Sequence, residues 1–139
     1  MKLLKKSKFL IIGAGNMGIS FIKALIQNGI SSKNIFILEK KVSKELNKIK
    51  RNKKIIIKKS SSDLAENLRP DIVLLAVKPD QLNAALDEVL VSIIHNSLVI
   101  SIIAGKKTSE LKKLTKNPMS TVRAMTNTPV SLGMGTSII

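Results

Sequence analysis

The sequence predicts an α/β fold with a doubly wound parallel sheet, and two observations support that prediction. Short apolar runs rich in Ile, Leu and Val alternate with amphipathic stretches along the 139 residues, which indicates right-handed βαβ crossovers onto a parallel sheet. Gly13–Gly18 reads G-x-G-x-x-G and lies between the first apolar run and the first amphipathic stretch. That context is typical of a dinucleotide-binding turn and indicates a Rossmann-type NAD(P)-binding domain.

The predicted strands are the short apolar runs. The run at 71–77 is nearly unbroken, which is typical of a strand buried on both faces of a sheet. The strands comprise Phe9–Ile12, Asn34–Leu38, Ile55–Lys58, Asp71–Val77, Leu98–Ile103 and Thr121–Met125, and a further strand is expected to begin within Thr136–Ile139.

The predicted helices occupy the stretches between the strands. Asn16–Asn28 is the first and ends at Gly29 in the C′ position, and Val42–Arg51 is the second. A short helix follows Ser60–Ser62, any of which can cap it. Its first turn carries the acidic residues Asp63 and Glu66.

Two further helices are predicted in the second half of the chain. Pro79 suits the first position of one of them, because its missing N–H has no intrahelical acceptor there. Thr108 is predicted to cap the other. The buried stripes of the two helices are Leu82, Ala85, Leu86, Val89 and Leu90 in the first, and Leu111 and Leu114 in the second.

Length and composition indicate one globular domain, so residues 1–139 are predicted to form a single dinucleotide-binding domain. No apolar run approaches the roughly 20 residues that a membrane span needs. Met1–Lys8 is basic, but Phe9–Ile12 is too short for the core of a signal peptide. The chain has no cysteine, which excludes disulfides and thiolate metal sites and fits a cytoplasmic protein without a membrane partner.

The net charge of +15 raises the possibility of a nucleic-acid partner. Only Arg51, Arg69 and Arg123 are arginines among the 24 basic residues, whereas phosphate recognition favours the arginine fork. Aromatic residues make up 2% of the chain, which leaves no stacking platform for single strands. We therefore expect no specific nucleic-acid binding, although the positive field should attract anionic ligands.

The glycine turn is the first candidate site. Its six residues are Gly13, Ala14, Gly15, Asn16, Met17 and Gly18. The first glycine permits the tight turn, the second lets the backbone approach a pyrophosphate, and the third lets helix and strand pack closely. The phosphates would lie on free N–H groups at the positive end of the helix dipole. The alternative is a glycine-rich turn that merely joins strand to helix.

Glu39 ends the second predicted strand. An acidic residue near this place accepts hydrogen bonds from the adenosine ribose hydroxyls and favours NAD. Lys40 and Lys41 follow at once and could reach the 2′-phosphate of NADP. The choice between NADP and NAD therefore stays open, with a small preference for NAD. A solvated charge pair at a strand end is the alternative interpretation.

Three later strands are predicted to end in small or polar residues. These exits are Ala76-Val77-Lys78-Pro79, Ser101–Gly105 with Ala104 and Gly105 at its end, and Met125-Thr126-Asn127-Thr128-Pro129. Ligands bind outside the carboxyl ends of the strands in such sheets, so the three exits are predicted to form one continuous crevice. For the first exit, a strand end followed by a proline-started helix is the alternative.

Four motifs in order resemble those of the pyrroline-5-carboxylate reductase family, in its N-terminal nucleotide-binding domain. They are I-G-A-G-N-M-G at Ile12–Gly18, D-I-V-L-L-A-V-K-P at Asp71–Pro79, I-S-I-I-A-G at Ile100–Gly105 and R-A-M-T-N-T-P at Arg123–Pro129. The last is the most specific, because 6-phosphogluconate and prephenate dehydrogenases share the glycine turn but not M-T-N-T-P. The resemblance runs from Phe9 to Ile139.

The resemblance implies an enzyme of proline biosynthesis that reduces the C=N bond of 1-pyrroline-5-carboxylate to L-proline with NADPH or NADH. Gly13–Gly18 would hold the pyrophosphate. Ala76, Val77, Lys78 and Pro79 would line the ribose and nicotinamide side, while Ala104, Gly105, Met125, Asn127 and Pro129 would flank the nicotinamide and the substrate entry. One departure is Ser62-Asp63, where the family usually has an Asn that contacts the cofactor; Asp63 there argues against a nearby 2′-phosphate.

The family also has a helical dimerisation domain that this sequence lacks, so a homo-oligomer is expected only with that domain. His95 lies in a polar loop and is predicted to be a surface residue, so no catalytic residue is assigned. Hydride transfer would then rest on positioning by the fold, and the chain alone is expected to be an incomplete enzyme. The alternative is a non-catalytic nucleotide-binding module or a decayed remnant of such an enzyme.

Overall fold

A six-stranded parallel sheet forms the centre of the molecule. The structure is a computed structural model, described here for residues 2–64, 67–87, 96–116, 120–126 and 137–138. The strands of the sheet are β1 (Phe9–Ile12), β2 (Ile35–Leu38), β3 (Ile56–Lys58), β4 (Ile72–Leu75), β5 (Leu98–Ser101) and β6 (Thr121–Arg123), in the order β3-β2-β1-β4-β5-β6. The order reverses between β1 and β4, which confirms the doubly wound fold and places a crevice at this switch point.

The C-terminal part of the sheet departs from the predicted strand lengths. The predicted strand Thr121–Met125 is split into β6 and a short β7 (Met125–Thr126), which pairs antiparallel with β8 (Ser137–Ile138). β5 ends before Ile103, because the Ser101 hydroxyl accepts the Ile103 N–H at 3.3 Å. β4 likewise ends at Leu75, although the Ala76 N–H still donates to the Ile12 carbonyl at 2.8 Å.

The helices of the described residues are α1 (Lys2–Lys6), α2 (Asn16–Gln27), α3 (Lys44–Lys53), α4 (Leu82–Asp87) and α5 (Thr108–Thr115). α2 ends in a Schellman motif at Gly29, as predicted: the Ile30 N–H donates to the Leu25 carbonyl at 3.0 Å. α3 begins two residues later than predicted because the Ser43 hydroxyl accepts the Leu46 N–H at 3.1 Å and makes Ser43 the N-cap.

Three other predicted helices begin differently from the prediction. Pro79 does occupy a first position, but in a 3₁₀ turn (Pro79–Gln81) that leads into α4. Lys107, not Thr108, is the N-cap of α5, because Lys107 has the extended backbone and its carbonyl accepts the Leu111 N–H at 3.1 Å. The short helix predicted after residue 60 is a 3₁₀ turn that Ser60 caps. Glu66, Val89, Leu90 and His95 lie outside the described residues.

The core lies on both faces of the sheet. Leu10 and Ile12 point to the face covered by α4 and α5, and Ile11 points to the face covered by α2 and α3, with all three side chains buried. Burying a strand on both sides fixes its register, because a slip by one residue would exchange the two faces. The carboxyl ends of the parallel strands are therefore held together at one edge. Among the described residues, no helix has the length and apolar character required to cross a membrane.

Candidate functional site

Close packing requires glycine at the first and third glycine positions of the turn after β1, Gly13 and Gly18. Gly13 has φ +92°, and a Cβ there would lie 2.8 Å from the Val77 backbone nitrogen. A Cβ on Gly18 would overlap the Gly13 carbonyl oxygen. Both residues are buried. Side chains at either position would thus separate the turn from α2 and from the exit of β4.

The second glycine, Gly15, is different. Its backbone is extended, with φ −69° and ψ −167°, a conformation open to any residue. A Cβ on Gly15 would meet no atom within 4 Å, so open space lies above it. The fold itself does not require glycine here. A small residue beside open space at a helix start is what the close approach of a phosphate group needs.

The N-terminus of α2 supplies the complementary donors. Gly15 is the N-cap and has no side chain that could accept a helix N–H, and the first turn of α2 has no acidic residue. The intrahelical bond from the Ile19 N–H to the Gly15 carbonyl, at 2.9 Å, is the first of the helix. The N–H groups of residues 16–18 precede it and have no intrahelical acceptor. Together with the dipole of this 12-residue helix, they fit an anion such as a pyrophosphate.

Glu39, directly after β2, is tied to the glycine turn. One carboxylate oxygen accepts the Ala14 N–H at 2.7 Å, and the other accepts the Lys41 N–H at 2.9 Å. A carboxylate has about four acceptor positions, so two remain for hydroxyl donors. The side chain is half-buried and its position is fixed by the backbone on both sides. The sequence placed Glu39 at this edge but did not reveal its bond to Ala14.

A cavity of about 580 Å³ joins these features. Eight of the predicted site residues line it: Gly13, Ala14, Gly15, Glu39, Lys40, Ala76, Val77 and Lys78. The cationic side chains of Lys40, Lys41, Lys59 and Lys78 outnumber the acidic ones of Glu39 and Asp80. The cavity therefore combines an apolar wall, from residues such as Val77 and Ala85, with a positive rim suited to an anionic ligand.

The other predicted site residues do not line this cavity. Asn16 and Pro79 are next to lining residues in the chain, and Met17 and Gly18 follow Asn16 in the first turn of α2. Ala104, Gly105 and Met125 follow β5 and β6 at the same edge of the sheet and are exposed. Asn127 and Pro129 lie outside the described residues. Asp63 is absent from the lining, and its carboxylate accepts the Ser60 N–H at 3.3 Å within its own turn.

Sequence reasoning missed several lining residues. Lys59 follows β3, so the strand-exit rule that identified the other exits would also have found it. Ser43 caps α3 and lines the cavity as well. The lining set Gln81, Ala84 and Ala85 comes from the 3₁₀ turn and from α4, and no motif in the sequence marks these residues.

Comparisons with known proteins agree on the family and the fold. Residues 8–105 match the protein family described as NADP oxidoreductase, coenzyme F420-dependent. The pyrroline-5-carboxylate reductase of Vibrio alginolyticus is 31% identical over 134 residues, which are 96% of this chain and 48% of that protein. The corresponding reductase of Haemophilus influenzae is 30% identical over 126 residues, or 89% of this chain and 44% of that protein.

A solved structure gives the same result. The pyrroline-5-carboxylate reductase of Coxiella burnetii superposes with a TM-score of 0.80 and 32% identity, over 94% of this chain and 48% of that one. The chain thus spans about half the length of the curated relatives it matches.

Proposed function

Because the chain belongs to the family described as NADP oxidoreductase, coenzyme F420-dependent, we propose that it is the cofactor-binding part of a pyrroline-5-carboxylate reductase. The reaction is the reduction of 1-pyrroline-5-carboxylate to L-proline with NADPH or NADH, in proline biosynthesis. The reductases of Vibrio alginolyticus and Coxiella burnetii, both above 30% identity over nearly the whole chain, support this assignment.

One observation carries the cofactor part of the proposal: Gly15 lacks a side chain where the fold leaves room for one. Gly13 and Gly18 are explained by packing alone. Gly15 is explained by a ligand whose phosphates approach its backbone. The N–H groups at the start of α2, which have no intrahelical acceptor, and the cationic rim of the cavity would bind the same ligand.

The proposed roles divide along the edge of the sheet. Gly13–Gly18 hold the pyrophosphate, and Glu39 with Lys40 faces the adenosine ribose. Ala76–Pro79 line the ribose and nicotinamide side. The group furthest along the edge flanks the nicotinamide and comprises Ala104, Gly105, Met125, Asn127 and Pro129.

The part of the cavity around Glu39, proposed to face the adenosine ribose, is compatible with NAD or NADP, with a small preference for NAD. The fixed carboxylate of Glu39 has free acceptor positions for ribose hydroxyls. It also repels a 2′-phosphate, whereas Lys40, Lys41 and Lys59 attract one from the same cavity.

The bound nicotinamide would supply the hydride, and this chain would hold the nicotinamide in position. Holding the reacting atoms about 3–3.5 Å apart contributes several kcal/mol to lowering a barrier. Ala104, Gly105 and Met125 are exposed and form one side of such a site at most. We propose that the groups that hold the substrate belong to the part of the relatives that this chain does not match, and that residues 1–139 act as one dinucleotide-binding domain.

A homo-oligomer would need that further part of the relatives. We propose that the protein acts in the cytoplasm, with no specific nucleic-acid or membrane partner.

Two measurements test the proposal. Calorimetric titration with NADH and NADPH should give saturable binding of at least one of them, and no saturation at millimolar concentration would reject the cofactor site. A steady-state assay with pyrroline-5-carboxylate and either cofactor should give negligible turnover for this chain alone. Turnover near that of a full-length relative would show that the chain holds a complete site.

The half-length match favours a second candidate, a non-catalytic module that has kept the nucleotide fold. To discriminate, the unmatched half of the Coxiella burnetii reductase is added in the same assay. Restored proline formation supports the enzyme, and cofactor binding with no turnover in the mixture supports the module.

A further inference from the structure

Arg123 is the last residue of β6, which is an edge strand of the parallel sheet. It lies opposite Ser101, the last residue of β5, in the parallel register. Both residues are therefore at the carboxyl edge, where ligands bind in doubly wound sheets. Arg123 itself does not line the cavity beside the glycine turn.

The guanidinium of Arg123 is poorly satisfied. Its Nε is buried and has no hydrogen-bond partner, and it is the one such side-chain nitrogen or oxygen in the described part of the chain. Its Nη2 donates to the Met125 sulfur at 3.2 Å, and a thioether is a weak acceptor. Buried polar groups in folded proteins are nearly always paired, so an orphan of this kind requires an explanation.

The protein's own acidic groups do not supply the missing partner within the described residues. Glu110, on the helix that precedes β6, is paired with Lys106, and Glu45 is paired with Lys23 on the other side of the sheet. The Arg123 guanidinium is thus a cationic group with an unused donor at the carboxyl edge of the sheet, where ligands bind in doubly wound folds.

We propose that Arg123 is a carboxylate-binding group, with Nε and an Nη as a paired donor fork. The planar fork matches the two oxygens of a carboxylate and forms two parallel hydrogen bonds. The carboxylate can belong to a small amino or imino acid or to an acidic side chain of another polypeptide. Only the first of these rests on the proposed reductase function.

The test observes the orphan nitrogen directly. The chain has three arginines, Arg51, Arg69 and Arg123, so a ¹H–¹⁵N spectrum has three Nε–Hε signals, which the Lys variants R51K, R69K and R123K assign one at a time. Sodium acetate and L-proline are titrated into the wild-type chain, with L-prolinamide and inorganic phosphate as controls. Because the wild-type signal is followed, a poorly folded R123K does not compromise the result: R51K and R69K together assign two signals, and the third then belongs to Arg123.

We expect a saturable shift of the Arg123 signal with the carboxylates, while the exposed Arg51 stays unchanged and serves as the internal reference. If L-proline binds at least about tenfold more tightly than acetate, the partner of Arg123 is the carboxylate of a small molecule. If both bind equally and weakly, and the Arg123 signal shifts when the unmatched half of the Vibrio alginolyticus reductase is added, the partner of Arg123 is an acidic side chain of another polypeptide. No shift with any of these, or an equal response to phosphate or L-prolinamide, overturns the proposal. Cofactor titration reports separately on the glycine turn, so failure of one does not imply failure of the other.

Discussion

The two halves of the carboxyl edge are built differently. At the exits of β1, β2 and β4, Gly13 and Ala14 are buried and Glu39 is fixed by two backbone N–H groups beside the cavity. At the exits of β5 and β6, Ala104 and Gly105 are exposed and Met125 is 54% exposed. The first half needs only its own backbone to present donors to an anion. The second half presents residues that the described part of the chain leaves exposed.

Among the variants of the site itself, the largest loss of stability is expected for Gly18→Val, which disrupts the half of the edge that carries the glycine turn. Its Cβ would overlap the Gly13 carbonyl oxygen, so the turn and α2 must separate. We expect the free energy of unfolding to fall by about 3 kcal/mol, measured by urea denaturation. A loss below about 0.5 kcal/mol, the range of ordinary surface changes, would mean that the turn is looser than described.

Glu39→Ala should weaken the same half by a smaller amount. Removing the carboxylate leaves the part-buried Ala14 N–H without its acceptor, at a cost of about 1–2 kcal/mol in unfolding free energy. The ratio of NADPH to NADH affinity should also rise by roughly tenfold, because the charge that repels a 2′-phosphate is gone. Urea denaturation and paired titrations measure the two effects.

Glu45→Ala is the matched control, because Glu45 makes an exposed ion pair with Lys23 that contributes little to stability. An unchanged cofactor ratio in Glu39→Ala would remove Glu39 from the adenosine site.

Ser43→Ala tests the cap that sets the start of α3 at the cavity wall. Loss of the hydroxyl acceptor for the Leu46 N–H should cost about 1 kcal/mol by thermal or urea denaturation. Ser31→Ala is the control, since Ser31 occupies an N-cap position but makes no side-chain capping bond. Equal effects of the two variants would contradict the assigned cap.

The smallest effect is expected in the open half. Met125→Gln should change the unfolding free energy by no more than about 0.5 kcal/mol, because the side chain is largely exposed. Leu75→Ala, at a fully buried position of β4, should cost about 2–5 kcal/mol and calibrates the measurement. A large loss for Met125→Gln would mean that the β5–β6 exits are packed after all.

The sequence predicted the alternation of elements well, because periodic apolar runs and glycine punctuation are local signals. Strand ends were harder to predict. β5 ends where the Ser101 hydroxyl accepts the Ile103 N–H, a local bond that the apolar run does not reveal. The predicted last strand of the sheet is interrupted at Ala124. The glycine turn was recognised as a motif, but only the structure separates Gly13 and Gly18, which packing requires, from Gly15, which it does not. The link from Glu39 to Ala14 joins residues 25 apart in the chain, and no sequence pattern reports it.

The fold does not require glycine at position 15, and we propose that a bound ligand does. Gly15→Val places a side chain in the open space above the turn, without a nearby atom to strain. Urea denaturation should show stability within about 0.5 kcal/mol of the parent chain, while calorimetric titration shows NADH and NADPH binding abolished. Unaltered cofactor binding by a folded Gly15→Val chain would contradict the account.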